Sequence, residues 1–338
     1  MKSFLALSAL VFLCLAVGGA VWLLLDGSDP VKSDDQTEEA IAINQEVVEE
    51  IPSVQDQPVQ AQKVNCDVAV PNDDLVLYTS QDGLELVKQG ALFSRASVPN
   101  LLFDQDAGDF ILAFQSFENL STLCDRMAYV RLATDGTVSD ISPLIVKSST
   151  YLNGFDPTLV SVQGKLVLVY TVRPPGKTHP CISLASANGD DVSDGFTNLD
   201  QILWCSDGDS ENYMDASAVV VGDELFVYIP SDAAMASGHP SSYFAKVDVA
   251  STNSEDWELT QTGAIDDAQL FLLGEMMAQP ESNSCPYAFY GTYQNTVRRA
   301  CSLDGLIFDS DTQVILSQAA DPGVARKPDG GYFLVVSQ

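Results

Sequence analysis

Four aspartates recur in the same setting along this chain. Asp156 stands in Phe155-Asp156-Pro157, Asp215 in Met214-Asp215-Ala216, Asp266 in Ile265-Asp266-Asp267, and Asp321 in Ala320-Asp321-Pro322. If folding gathers them, close carboxylates will shift one another's pKa values. A carboxylate pair, one acid and one base or nucleophile, is what cleavage of a glycosidic bond requires. The repetition also fits a humbler role, since Asp commonly holds a turn by accepting backbone N–H bonds. Glu211, four residues before Asp215, breaks the repeat and is the candidate general acid, with Asp156 or Asp215 as its partner. Phe155 and Tyr213 lie just before two of these aspartates; their rings could stack on a sugar face or pack the core. Arg95 is a cation in a chain poor in cations, and could grip a carboxylated sugar or neutralise the acidic groups. Asp266 and Asp321 join Arg95, Phe155 and Tyr213 as candidate ligand-binding residues.

The elements that must position these residues are β-hairpins. Asp321-Pro322 leads into a short apolar strand, an Asp329-Gly330-Gly331 turn and a second apolar strand ending near Val336. The same phrase appears at Asp156 with Leu166–Tyr170, and at Asp215 with Leu225–Tyr228. It appears again at Val98-Pro99 with Phe110–Phe114, and in degenerate form at 265–271 with Tyr287–Tyr290. A third run with a polar turn follows each hairpin, as at Ala128–Gly136 and Ile182–Gly189, and then an outer strand. Repeats of roughly fifty to sixty residues with four short strands each predict a β-propeller. Leu75–Gly83 is a third strand with no hairpin before it, and the terminal hairpin has no third strand after it. Together they make one composite blade that closes the ring and removes its sheet edges. The expected fold class is therefore all-β, a five-bladed propeller over residues 66–338.

The phrases DPGVARKPDGGYFLVV and CSLDGLIF resemble the repeats of five-bladed propellers in the arabinanase-, fructosidase- and sialidase-like glycosidase superfamilies. The resemblance covers about Leu75 to Gln338. It implies that the Asp-Pro end of each first strand faces a central ligand-binding mouth. It also implies a carboxylate, often the nucleophile or base, where this chain has Val98. Ser302-Leu303-Asp304-Gly305 is similar to the Asp-box turn of sialidases, which is structural. A sialidase-type arginine triad would need further arginines from among Arg126, Arg173, Arg298 and Arg326. In this arrangement Cys181 and Cys205 share one mouth and Cys285 and Cys301 the opposite one. The expected disulfides are then Cys181–Cys205, Cys285–Cys301 and, by remainder, Cys66–Cys124. Propellers serve many functions, so carbohydrate binding, glycoside hydrolysis and a protein-interaction scaffold all stay open.

Composition narrows the partners. With a formal charge of -31 and a pI near 4.1, the chain lacks the clustered Lys and Arg that nucleic acid demands. An uncharged run from Ser3 to Leu25 follows Lys2, long enough to span a bilayer as a helix. Residues 1–25 are therefore expected to be an uncleaved transmembrane signal anchor, amino end inside and body outside the cytoplasm; secretion after cleavage is the alternative. Residues 26–65, acidic and without an aromatic, predict a disordered linker. Six cysteines beyond the anchor, with no CxxC spacing, suit an exported chain with disulfides better than a metal centre. No cofactor or metal is expected, with calcium the candidate exception at the oxygen-rich stretches Asp104–Asp109 and Asp207–Glu211. A closed ring of this kind is expected to be monomeric.

Overall fold

The computed structural model describes residues 73–117, 127–148, 154–174, 179–205, 215–230, 242–265, 274–278, 284–293, 295–305, 308 and 313–338. Two strands come first, β1 (Asp74–Ser80) and β2 (Val87–Ser94). Blade one holds β3 (Ala96–Asp104), β4 (Asp109–Ser116), β5 (Met127–Leu132) and β6 (Ser142–Pro143). A short strand, β7 (Val146–Lys147), then precedes blade two: β8 (Gly154–Val162), β9 (Lys165–Val172), β10 (Cys181–Ala187) and β11 (Phe196–Cys205). Blade three is β12 (Ser217–Val221), β13 (Glu224–Ile229), β14 (Ser242–Asp248) and β15 (Glu258–Ile265). Blade four is β16 (Gly274–Ala278), β17 (Tyr287–Tyr293), β18 (Thr296–Ser302) and β19 (Gln313–Ser317). The last hairpin, β20 (Ala320–Arg326) and β21 (Tyr332–Ser337), pairs with β1, giving a composite blade ordered β20-β21-β1-β2. The five-bladed propeller and its shared closing blade are thus present.

Burial explains the strand sequences. The second strands β4, β9 and β21 are almost wholly buried and read as unbroken apolar runs, because neighbouring blades cover both of their faces. The outer strand β2 is mostly exposed and carries Lys88 and Gln89. Five hydrophobic clusters fill the five seams between blades, and side chains alternate between seams as a pleated strand requires. Leu75 and Leu77 of β1 face blade one, while Val76 and Tyr78 face blade four. A slip of one residue would exchange these sets, so the seams pin the register.

Two turns of the Ser-x-Asp-Gly type stand at the end away from the Asp-Pro phrases. Ser302 Oγ donates to Asp304 Oδ1 at 3.0 Å and accepts the Gly305 N–H at 2.9 Å. Ser80, Asp82 and Gly83 repeat the pattern with the same distances. Tyr290 of blade four donates to the Gly83 carbonyl at 3.3 Å across the seam. Gly83 has φ +74, and a Cβ there would sit 2.5 Å from the Tyr290 hydroxyl oxygen, so only glycine fits.

Two features differ from the sequence reading. Blade two has a fifth strand, because β7 pairs in parallel with β11 at Val146–Phe196 and Lys147–Thr197. The innermost strand of blade four is Gly274–Ala278, not the expected segment at 265–271. Ile265 instead continues the outer strand of blade three, where it pairs with Ser242. The repeat phrase is most degenerate there, and pairing with β17 decides the position. The expected anchor and linker, residues 1–65, lie outside the described residues. Among the described residues no helix is long and apolar enough to cross a membrane.

Candidate functional site

The innermost strands β3, β8, β12, β16 and β20 form the inner ring, each in contact with the next and β20 with β3. Polar bonds tie them sideways. Asn100 Oδ1 accepts the Leu159 N–H at 2.8 Å, and Thr158 Oγ1 donates to the Ala216 carbonyl at 2.6 Å. The Asp321 N–H donates to Thr292 Oγ1 at 2.7 Å. At Gly323 an added Cβ would meet the Pro99 carbonyl oxygen at 2.5 Å, which measures how closely β20 and β3 approach.

Each Asp-Pro phrase begins its strand with a bulge. The pairing register skips between Phe155 and Thr158, and between Ala320 and Gly323. The same skip occurs between Ser97 and Asn100. The residues at these bulges are left-handed: Asp156 at φ 53, Asp321 at φ 46 and Val98 at φ 49, with Asp215 at φ 54 just before β12. Asp tolerates this conformation because its short polar side chain bonds locally, whereas a β-branched residue there is an outlier. Val98 therefore occupies, with strain, the same structural position as the three aspartates.

Left-handed residues at these three strand entries bring the carboxyls of three blades within reach of one another. Asp156 is 4% exposed, while Asp215 and Asp321 keep a partial opening to solvent. Burial first, then the charges of Asp156 and Asp321, hold the Asp215 pKa well above the ordinary carboxyl value; a hydrogen bond with Asp156 adds to this. Burial likewise pushes Asp321 up to about 7, helped by Asp156 and Asp73 and opposed by the nearby Ser337 hydroxyl. Asp156 and Asp215 are close enough to raise one another's proton affinity, so they titrate as a coupled pair. Among the described residues no ion pair joins Asp215 or Asp321 to a base.

Around this acidic floor the rim carries arginines and aromatic rings. Arg173, just beyond β9, lies over the Phe155 ring with 5.8 Å to its centroid. Arg298 lies over Tyr293 at 4.7 Å on blade four. Arg95, at the end of β2, donates from Nη2 to the Phe117 carbonyl at 3.4 Å. Arg326 ends β20 at the opposite face, which removes it from any triad at this mouth. The Cys181–Cys205 disulfide joins the start of β10 to the end of β11 at this mouth, and Cys285–Cys301 lies at the other end of blade four. Glu211, Tyr213, Asp266 and the pair Cys66–Cys124 lie outside the described residues.

One candidate calcium stretch is already occupied by a cation of the chain itself. Asp104 and Asp109 receive the Arg131 guanidinium at 2.6 and 2.9 Å, and Asp191 of blade two binds its other nitrogen. The remaining oxygen of Asp104 takes the N–H groups of Asp106 and Ala107. Asp104–Asp109 is therefore a turn and an interblade clasp. Local oxygen density suggested a metal because the partner arginine sits on another strand. Asp73 was missed as a neighbour of the floor for a related reason: only closure of the composite blade brings it beside Asp321.

The fold has known counterparts. The chain resembles an α-L-arabinofuranosidase of Clostridium thermocellum at 12% identity and a TM-score of 0.51, over 71% of this chain and 81% of that one. It resembles a sucrose-6-phosphate hydrolase of Lactobacillus gasseri at 14% identity and a TM-score of 0.51, over 71% of this chain and 53% of that one. No protein-family model matches the chain, and no curated protein matches it in sequence. The likeness is one of fold: the five-bladed propeller of arabinanase- and fructosidase-type glycosidases.

Proposed function

We propose that this chain is a carbohydrate-binding propeller, tethered outside the cytoplasm by residues 1–25 and spaced from the membrane by residues 26–65. Its ligand enters the mouth where Asp156, Asp215 and Asp321 meet. The observation that carries binding over cleavage is the bulge of blade one, where Val98 puts an apolar side chain in the position that holds an aspartate in three other blades. Cleavage of a glycosidic bond needs a pair of carboxyls in set roles, and blade one supplies none at that position. Carboxyls that keep protons near neutral pH can both donate and accept, which suits the paired hydroxyls of a sugar.

Hydrolysis is the second reading, and one observation favours it. A carboxyl at about 7, as at Asp321, holds a proton near neutral pH and is matched to general acid catalysis. Glu211 would then serve as an alternative acid, and Asp156 or Asp215 as the partner group. The fold's likeness to arabinofuranosidases supports both readings equally.

A glycan-array screen of the full-length chain in detergent, followed by assay of released reducing ends on every hit, separates them. Saturable binding without release is the expected result. Release of reducing ends that disappears in Glu211→Gln would establish the hydrolase. Absence of any glycan binding would leave the mouth to a protein partner and remove the carbohydrate reading.

A further inference from the structure

We propose that the Cys285–Cys301 bond is a thiol-exchange site: a small-molecule thiol adds to Cys301, and Cys285 leaves as a thiolate held by Arg299. This is independent of the carbohydrate reading, because the bond lies at the end of blade four away from the mouth.

The two sulfurs of this bond have different surroundings. Cys285 is 5% exposed, whereas Cys301 keeps a partial opening to solvent. Arg299 shares β18 with Cys301 and lies on the same face of the strand. It donates from Nη2 to Cys285 Sγ at 3.4 Å, and its guanidinium rests 5.8 Å from the Tyr290 ring centroid, which orients it. Nε shares one edge of the planar guanidinium with Nη2. This Nε is buried and has no hydrogen-bond partner among the described residues. A buried donor without an acceptor costs free energy, and the sulfur of a disulfide is a weak acceptor. A thiolate at Cys285 is a strong one, with a charge that both N–H groups of that edge can meet. The Tyr287 carbonyl, 3.6 Å from the same sulfur, favours the neutral thiol. A full guanidinium charge outweighs that dipole, since charge-assisted bonds are about twice as strong as neutral ones. Arg299 therefore stabilises the opened form and eases the bond's reduction.

Exposure and charge together set the direction of exchange. The incoming thiol gives its proton to solvent, and its sulfur attacks Cys301 Sγ. A new sulfur–sulfur bond forms there as the Cys285–Cys301 bond breaks, and the electron pair passes to Cys285. The products are a mixed disulfide on the partly exposed cysteine and a thiolate on the buried one. β17 and β18 stay paired along their length, from Tyr287–Ser302 to Tyr293–Thr296, so blade four survives the opening. The other disulfide supplies a contrast. Cys181 is fully buried, and its sulfur lies 4.0 Å from the His179 carbonyl. Among the described residues no cation donates to either sulfur of Cys181–Cys205.

The test is equilibration of the full-length chain in detergent with graded ratios of reduced to oxidised glutathione. Acid quenching, alkylation and mass spectrometry then read the state of each cysteine. Cys181–Cys205 is the reference within the same molecule. Arg299→Gln should make Cys285–Cys301 about tenfold harder to reduce relative to that reference, about 30 mV for a two-electron couple. A merely structural role for Arg299 predicts the reverse, because loosening the blade makes its disulfide easier to reduce. Arg299→Lys should recover part of the shift, since an ammonium supplies charge without the paired edge. In the wild type, early quenching should find glutathione on Cys301 and the alkylating reagent on Cys285. A ratio between the two disulfides that is unchanged in Arg299→Gln, or shifted toward easier reduction, overturns the inference. Glutathione found on Cys285 instead of Cys301 overturns it as well.

Discussion

The two ends of the propeller handle charge in opposite ways. At the end away from the mouth, bases and acids are matched: Arg131 with Asp104, Asp109 and Asp191, and Lys327 with Asp329. At the mouth they are kept apart, with carboxyls gathered in the floor and Arg95 and Arg173 on the rim without a carboxylate partner among the described residues. Matched charges cost little to keep and hold blades together. Gathered carboxyls cost stability, and a fold keeps such a cost where a ligand uses the groups. The matched end reads as scaffold and the unmatched end as site.

The largest expected effect tests the scaffold half of that contrast. Arg131→Met removes one cation from three part-buried carboxylates on two blades, and the burial-opposed pairing that keeps its pKa high shows how closely they hold it. The loss should be about 3 kcal/mol of unfolding free energy, typical of stripping one partner from a buried ion pair. Chemical denaturation measures it, and the loss should shrink in acid as pH falls through the pKa values of Asp104 and Asp191, which, against burial, Arg131 and hydrogen bonds from nearby N–H groups hold below the ordinary carboxyl range. A loss under about 0.5 kcal/mol, the range of an ordinary surface change, would break the comparison, because the clasp would then contribute no more than an exposed pair.

That clasp also shows what a sequence conceals. The Asp-Pro phrases, the closing hairpin and the orphan strand Leu75–Ser80 were legible because each is local: a turn, an apolar run and a register that neighbouring residues determine. The pairs Cys181–Cys205 and Cys285–Cys301 followed from strand positions alone. What stayed hidden depends on distances between blades. Arg131 is 22 residues from Asp109 and 60 from Asp191, so the turn looked like a calcium loop without its cation. Strand β7 was hidden because two residues carry no periodicity. The coupling of Asp156 with Asp215 was hidden because repetition shows that residues are equivalent, not how near they come. Repetition suggested turn-holding as strongly as chemistry, and the left-handed bulges show that the two roles coexist: the bulge seats the Asp, and the ring brings the seats together.

A middle-sized effect tests the cost of the site half. Asp321 has a folded pKa near 7 against an ordinary value of 3.8. Below 3.8 both folded and unfolded chains keep this proton and nothing is lost. Between 3.8 and 7 the unfolded chain releases it first, so stability falls as pH rises, and the loss is complete above 7. Asp321→Asn removes that dependence while keeping the shape. The variant should match wild type near pH 4 and exceed it by about 2 kcal/mol at pH 8. Denaturation midpoints across this window measure the gap. A gap that stays flat with pH would mean the floor carboxyls carry no cost, and the contrast between the two ends would lose its energetic half.

The smallest effect concerns Val98, where strain and charge can be separated. Its φ of 49 places a β-branched residue in the left-handed region, at a cost of roughly 1–2 kcal/mol. Val98→Asn relieves that strain with a residue suited to the conformation, but gives up part of a half-buried apolar contact. The net expectation is a gain of about 0.5–1 kcal/mol, independent of pH. Val98→Asp should show the same gain at pH 5 and lose it by pH 8, because a further carboxyl joins the three that already crowd the floor. Thermal unfolding of both variants at the two pH values measures the difference. If Asn is neutral or destabilising, the valine is held by packing, and the first blade's bulge belongs to the scaffold. If Asn stabilises while Asp loses its gain with rising pH, Val98 sits within reach of the carboxyl cluster, and its side chain limits the charge that the mouth must carry without a ligand.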